Sequence, residues 1–240
     1  MSWTRLLILH LAPGALATLL FVVIADGVQA AGYPPLAAFL IAVAVVIVPF
    51  ELAVVVLAGR HEPGGRLLAA VPYRRPLSLR QWLILVPLLL VISVVGFGLL
   101  GLIDPAIRDA LFGWLPDWFR ELIDVDAVTD YEPSAWTVTL VAYFLLNVLI
   151  GPVVEELYFR GYLLPRMSGL GMWAPFVNTA LFSLYHFWTP WSFLARVAGV
   201  APFAYAVWRT ENVYLGMVVH VLLNGIGTAS LIALIASRLG

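Results

Sequence analysis

Gly151-Pro152-Val153-Val154-Glu155-Glu156-Leu157-Tyr158-Phe159-Arg160-Gly161 puts two adjacent carboxylates and an arginine into one of the most apolar parts of an apolar chain. A charge near the centre of a bilayer costs roughly 2.5–3.5 kcal/mol on insertion scales, so such residues are rare and usually functional. Glu156 and Arg160 stand at i,i+4, the spacing of a helical ion pair. That accounts for one carboxylate and leaves Glu155 without a partner in sequence. Neighbouring helix positions diverge by about 100°, so the two carboxylates can do different jobs.

Around this stretch lie 240 residues, 62% hydrophobic and 11% charged, with a mean hydropathy of +0.98. Soluble domains carry about 25% charged residues. The composition therefore predicts an all-α membrane protein, a polytopic bundle. The net charge of −1 excludes a general nucleic-acid surface. The absence of cysteine excludes disulfides, thiol nucleophiles and cysteine zinc sites. Every basic residue is arginine, which together with the compact chain suggests a prokaryotic cell (inner) membrane.

Hydropathy predicts about seven transmembrane helices: 6–25, 36–58, 81–103, 136 to the Glu155-Glu156 stretch, 172–188, 193–208 and 213–235. Val28-Gln29-Ala30 resembles a signal cleavage site, but the apolar run before it is longer than a signal core. The 60–80 loop carries Arg60, Arg66, Arg74, Arg75 and Arg80 against Glu62 alone. The 104–135 loop carries eight carboxylates against Arg108 and Arg120. Arginine-rich short loops stay in the cytoplasm, so the first loop is expected inside and the second outside. Within the second, 111–123 has helical apolar spacing and is expected to lie along the surface. The chain divides at 1–135, the first helices and the acidic loop, and 136–236, the last four helices.

The intramembrane polar residues of those four helices are Asn147, Glu155, Glu156, Arg160, Asn178, His186, Arg196, His220 and Asn224; the second span adds Glu51 and the first adds His10. His220 and Asn224 are four apart and share a helix face. Phe182 stands four before His186. For His10, Asn147 and Asn178 a satisfied helix–helix contact is the simpler reading. At about 1.5 Å per residue, His220 lies roughly 12 Å in from the turn at Asn212 and His186 roughly 20 Å in from Trp173. Glu155 reaches a similar depth, roughly 16 Å, only if its helix runs on to about Pro165-Arg166. The expectation is thus one long helix over 136–164, its inner part lining a cavity open to the cytoplasm.

Such a cluster supports hydrolysis. An apolar site and a like-charged neighbour bring a carboxylate towards the working range of a general base. A histidine can share the attacking water, and a His–Asn pair can donate to a developing oxyanion. His186, His220 and one of the two glutamates, Glu155 or Glu156, could alternatively hold zinc with an open position, although the H-E-x-x-H signature is absent.

These residues resemble the CPBP family, membrane proteases related to the CAAX prenyl protease and to bacteriocin-processing, Abi-type proteins. Its motifs E-E-x-x-x-R, F-x-x-x-H and H-x-x-x-N occur in order as Glu155-Glu156…Arg160, Phe182…His186 and His220…Asn224. The resemblance covers about 136–229. It implies an intramembrane endopeptidase acting on a membrane-associated protein or peptide. Glu155 would activate water with His186, His220 and Asn224 would stabilise the oxyanion, and Glu156, Arg160 and Phe182 would support them. No metal is favoured, and zinc is the alternative. Two other functions remain open: a non-catalytic scaffold or immunity protein, and a proton-coupled transporter, against which stands the lack of matched interrupted spans.

Overall fold

The computed structural model describes residues 1–240 except 64, 67, 123–126 and 240. It is 83% helical, and among the described residues only an isolated bridge, Arg74 to Asn212, has strand character. Helix α1 spans Trp3–Ala30, α2 Pro35–Arg60, α3 Leu79–Gly101 and α4 Asp104–Phe112. Helix α5 runs over 133–163, α6 over Ala174–Tyr185, α7 over Phe193–Thr210 and α8 over Val213–Leu239.

Local sequence explains the boundaries. Ser2 caps α1, and Ser78 with Gln81 forms a capping box on α3. Between α5 and α6 a tight 3-10 segment reverses the chain at Gly171, whose φ of 54° suits glycine. Large aliphatic side chains such as Leu19, Val23, Leu83 and Val91 face outward, as lipid contact requires.

Among the described residues five stretches are long and apolar enough to cross a membrane, against the seven expected. One is the 53-residue run Pro133–Tyr185, which joins the expected fourth and fifth spans. Its second helical piece, α6, has only 12 residues. The expected sixth span, α7, carries Arg196 and Arg209 and falls short in apolarity. The long helix expected through Glu155 is present as α5. The surface helix expected over 111–123 is not: α4 stops at Phe112 and a single turn, Asp117–Arg120, starts after Pro116. Ile123 lies outside the described residues.

The bundle has two chemically distinct ends. At one, Arg166 donates to the Ala70 carbonyl at 3.1 Å, and Asn212 donates to the Arg75 carbonyl at 2.6 Å. The arginine loop, the 164–173 reversal and the α7–α8 turn therefore meet there. At the other, Phe112 packs on Trp191 at 6.0 Å and Trp118 on Phe21 at 5.6 Å. That end gathers the acidic loop and the turn before α7.

Candidate active site

Prolines shape the helix that carries the carboxylates. Before Pro152, α5 opens into π-helical turns over Phe144–Ile150. There the Gly151 N–H bonds the Leu146 carbonyl, five residues back. The next donor in that register would be Pro152, which has no N–H. The Asn147 carbonyl is thus left for another partner, and Asn224 of α8 donates to it at 2.7 Å. A second π-helical run, Glu156–Leu163, follows directly. Such turns often mark functional sites.

Glu155 and Glu156 part company as their angular separation requires. Glu156 is fully buried and pairs with Arg160 at 3.1 Å. The Arg160 guanidinium sits 4.1 Å from the Phe182 ring centre and 5.5 Å from that of Phe203. Its charge is therefore held by one carboxylate and by aromatic faces. Glu156 also accepts from His220 Nδ1 at 3.1 Å, which leaves Nε2 as that ring's free nitrogen. Glu155 keeps 12% exposure, and its Oε2 lies 3.9 Å from His220 Nε2. Tyr185 donates its hydroxyl to Glu155 Oε1 at 3.2 Å.

His186 follows α6 directly. Its Nδ1 donates to the Phe182 carbonyl at 2.8 Å. That fixes the tautomer, so Nε2 carries the lone pair. Phe182 packs edge-on against both His186 and His220, with centroids 4.7 and 6.2 Å away. Its ring joins the two histidines to Arg160.

Glu155, His186, His220 and Asn224 all line one cavity of about 280 Å³. Phe182 joins the lining, whereas Glu156 and Arg160 lie behind it. Among the described residues no three of His, Asp and Glu converge as a metal-ligand set. Glu155, His186 and His220 share the cavity. His10 and Asn178 are a helix–helix contact as expected, with Asn178 Nδ2 3.1 Å from His10 Nε2. Asn147 instead lines the cavity.

One expectation is corrected by the packing. The inner part of α5 does not line the cavity. Glu156, Tyr158, Phe159, Arg160, Tyr162 and Leu163 are buried against their neighbours. The lining on α5 runs from Tyr143 to Glu155 and stops.

Sequence reasoning missed three contributors. Tyr185 holds Glu155, and its place directly before His186 was the available signal. Arg196 lines the cavity and is anchored by Thr189 Oγ1 at 2.8 Å and the Ser183 carbonyl at 3.4 Å. Glu51 of α2 is fully buried and lies within electrostatic reach of Glu155 and Tyr185. Both were visible as intramembrane charges. At the acidic end, burial raises the Asp104 carboxyl above the usual carboxylate range, partly offset by Ser192 and Arg196.

Gly216, one turn before His220, lets Glu156 approach: a Cβ there would sit 2.5 Å from Glu156 Oε2. Gly216→Ala is expected to loosen the Glu156–His220 bond. Hydrogen bonds to charged groups contribute about 1.5–3 kcal/mol, so activity should fall at least about tenfold. Turnover by membranes containing matched amounts of protein measures this.

Residues 137–226 match the family model described as type II CAAX prenyl endopeptidase, Rce1-like. The match spans less than half of the chain, and it supports the resemblance to the CPBP/CAAX proteases over that segment. The matched segment contains all three motifs and both π-helical turns of α5. No curated protein and no solved structure matches the chain. The cavity wall extends beyond the matched segment, drawing Phe39, Leu40, Val43 and Ile47 from α2 and Phe97 from α3.

Proposed function

We propose that the protein is an intramembrane endopeptidase of a prokaryotic cell membrane, hydrolysing a peptide bond in a membrane-associated protein or peptide. The observation that carries this reading is the convergence of Glu155, His186, His220 and Asn224 on one cavity. Glu155 takes a proton from water, and the resulting hydroxide attacks the scissile carbonyl carbon. The carbonyl π electrons move to oxygen, giving a tetrahedral oxyanion. Asn224 faces it with its second amide N–H, the first being held by Asn147. His220 can donate from Nε2 only when both its nitrogens carry protons, and Glu156 and Glu155 are then the two acceptors at 3.1 and 3.9 Å. On collapse the C–N bond breaks and the nitrogen takes up the proton. The His186 Nε2 lone pair is a second station for that proton. The catalytic unit in this reading is 136–236, completed by the α2 and α3 walls.

The test is mass spectrometry of new peptide termini after purified protein acts on a membrane proteome in liposomes. New termini that require the intact protein support the reading; a membrane proteome left unchanged overturns it in favour of a scaffold or transporter.

The mechanism needs no bound metal. Zinc held by Glu155, His186 and His220 would be stripped by strong chelators. Activity is expected to survive chelation. Loss on chelation with recovery on adding zinc would reassign those residues as ligands.

A further inference from the structure

The cavity occupies one half of the bundle. Every lining helix contributes from the acidic-loop side of the level of Glu155 and His220. On α5, which runs from the acidic end to the arginine end, the lining includes Asn147 and ends at Glu155. On α8, which runs the opposite way, it begins at His220 and ends at Thr228. On α2 it ends at Ile47, before the buried Glu51. Arg196 lies four residues into α7, and Phe97 lies four residues before the end of α3. On the other side, Tyr158, Phe159, Arg160 and Leu163 are 0% exposed and close the bundle.

The two ends differ in charge. The arginine loop, Arg166 and Arg209 meet at the closed end. The described residues of the acidic 104–135 loop are at the other. Short loops rich in arginine are retained in the cytoplasm. The closed end is therefore cytoplasmic and the lined half is extracytoplasmic.

We infer that the site is reached from the extracytoplasmic face, so that its substrate is a membrane-anchored peptide segment presented in the outer half of the bilayer. The word substrate rests on the peptidase reading; the direction of access rests on the lining and the charge alone. Neither the prenylated carboxyl terminus of a cytoplasmic protein nor a peptide delivered from the cytoplasm meets the site in this arrangement.

The natural chain has no cysteine, so single cysteines report access cleanly. Leu146→Cys and Gly227→Cys probe the cavity, Asp109→Cys the acidic end and His61→Cys the arginine end. A charged, membrane-impermeant methanethiosulfonate is applied to intact cells and to inverted membrane vesicles. Both cavity cysteines are expected to react in intact cells together with Asp109→Cys, while His61→Cys reacts only in inverted vesicles. Cavity cysteines that react with His61→Cys, from both faces or from neither overturn the inference, as does an inverted order of the two reference sites. Labelling needs no turnover, so repeating it in a Glu155→Gln background separates a wrong direction of access from a wrong assignment of activity.

Discussion

Glu155→Gln is expected to lower turnover by about 10²–10⁴-fold, the usual loss when a general base is removed. The fold should be untouched. Glutamine keeps the shape, and its amide oxygen can still accept from Tyr185, which lies 3.2 Å from Glu155 in the native protein. Glu155 is also the less buried member of the pair, so removing its charge leaves no buried partner bare. Initial rates and thermal unfolding of the same purified samples check both halves. Full activity in this variant would remove Glu155 from the chemistry. Glu156→Gln should behave differently, with a milder effect on rate and a larger one on stability, because Glu156 holds Arg160 and His220 at once.

Arg160→Ala is expected to act first on the fold. Breaking a buried pair by removing one partner costs about 3–5 kcal/mol, because the other charge is left bare. Here Arg160 and Glu156 both have 0% exposure. The substitution also empties the space beside Phe182 and Phe203. The folded yield and the unfolding temperature in detergent should drop together with activity. A variant as stable as the native chain yet inactive would give Arg160 a role on substrate instead.

The residues differ in how readable they were. The Glu156–Arg160 pair follows from i,i+4 spacing, and the structure holds it at 3.1 Å. The long helix through Glu155 follows from depth, because only an extended α5 brings Glu155 level with His186 and His220. Depth along a helix says nothing of rotation, however. The bond from His220 to Glu156 depends on how α5 and α8 face each other, and no spacing encodes that. The Asn224 contact depends on a π-helical register set by Pro152, a feature two residues wide that hydropathy does not register. The same limit explains the misplaced cavity. Charge at the mouth and charge along the wall look alike in sequence, and only packing shows that Tyr158, Phe159 and Leu163 close the arginine end. The span count suffered from α6, where 12 residues do the work assigned to a full crossing.

Water activated by Glu155 in the shared cavity is the centre of the account. It is tested most directly by following one mapped cleavage in liposomes under oxygen-18 water, with native protein and Glu155→Gln side by side. The native protein is expected to place one labelled oxygen in each new carboxyl terminus, with no acyl adduct on its own mass during a single turnover. The Gln variant is expected to lose that product by the 10²–10⁴-fold of a missing base, about 3–5 kcal/mol of barrier. A covalent adduct in the native protein, or product from Glu155→Gln at the native rate, would contradict it.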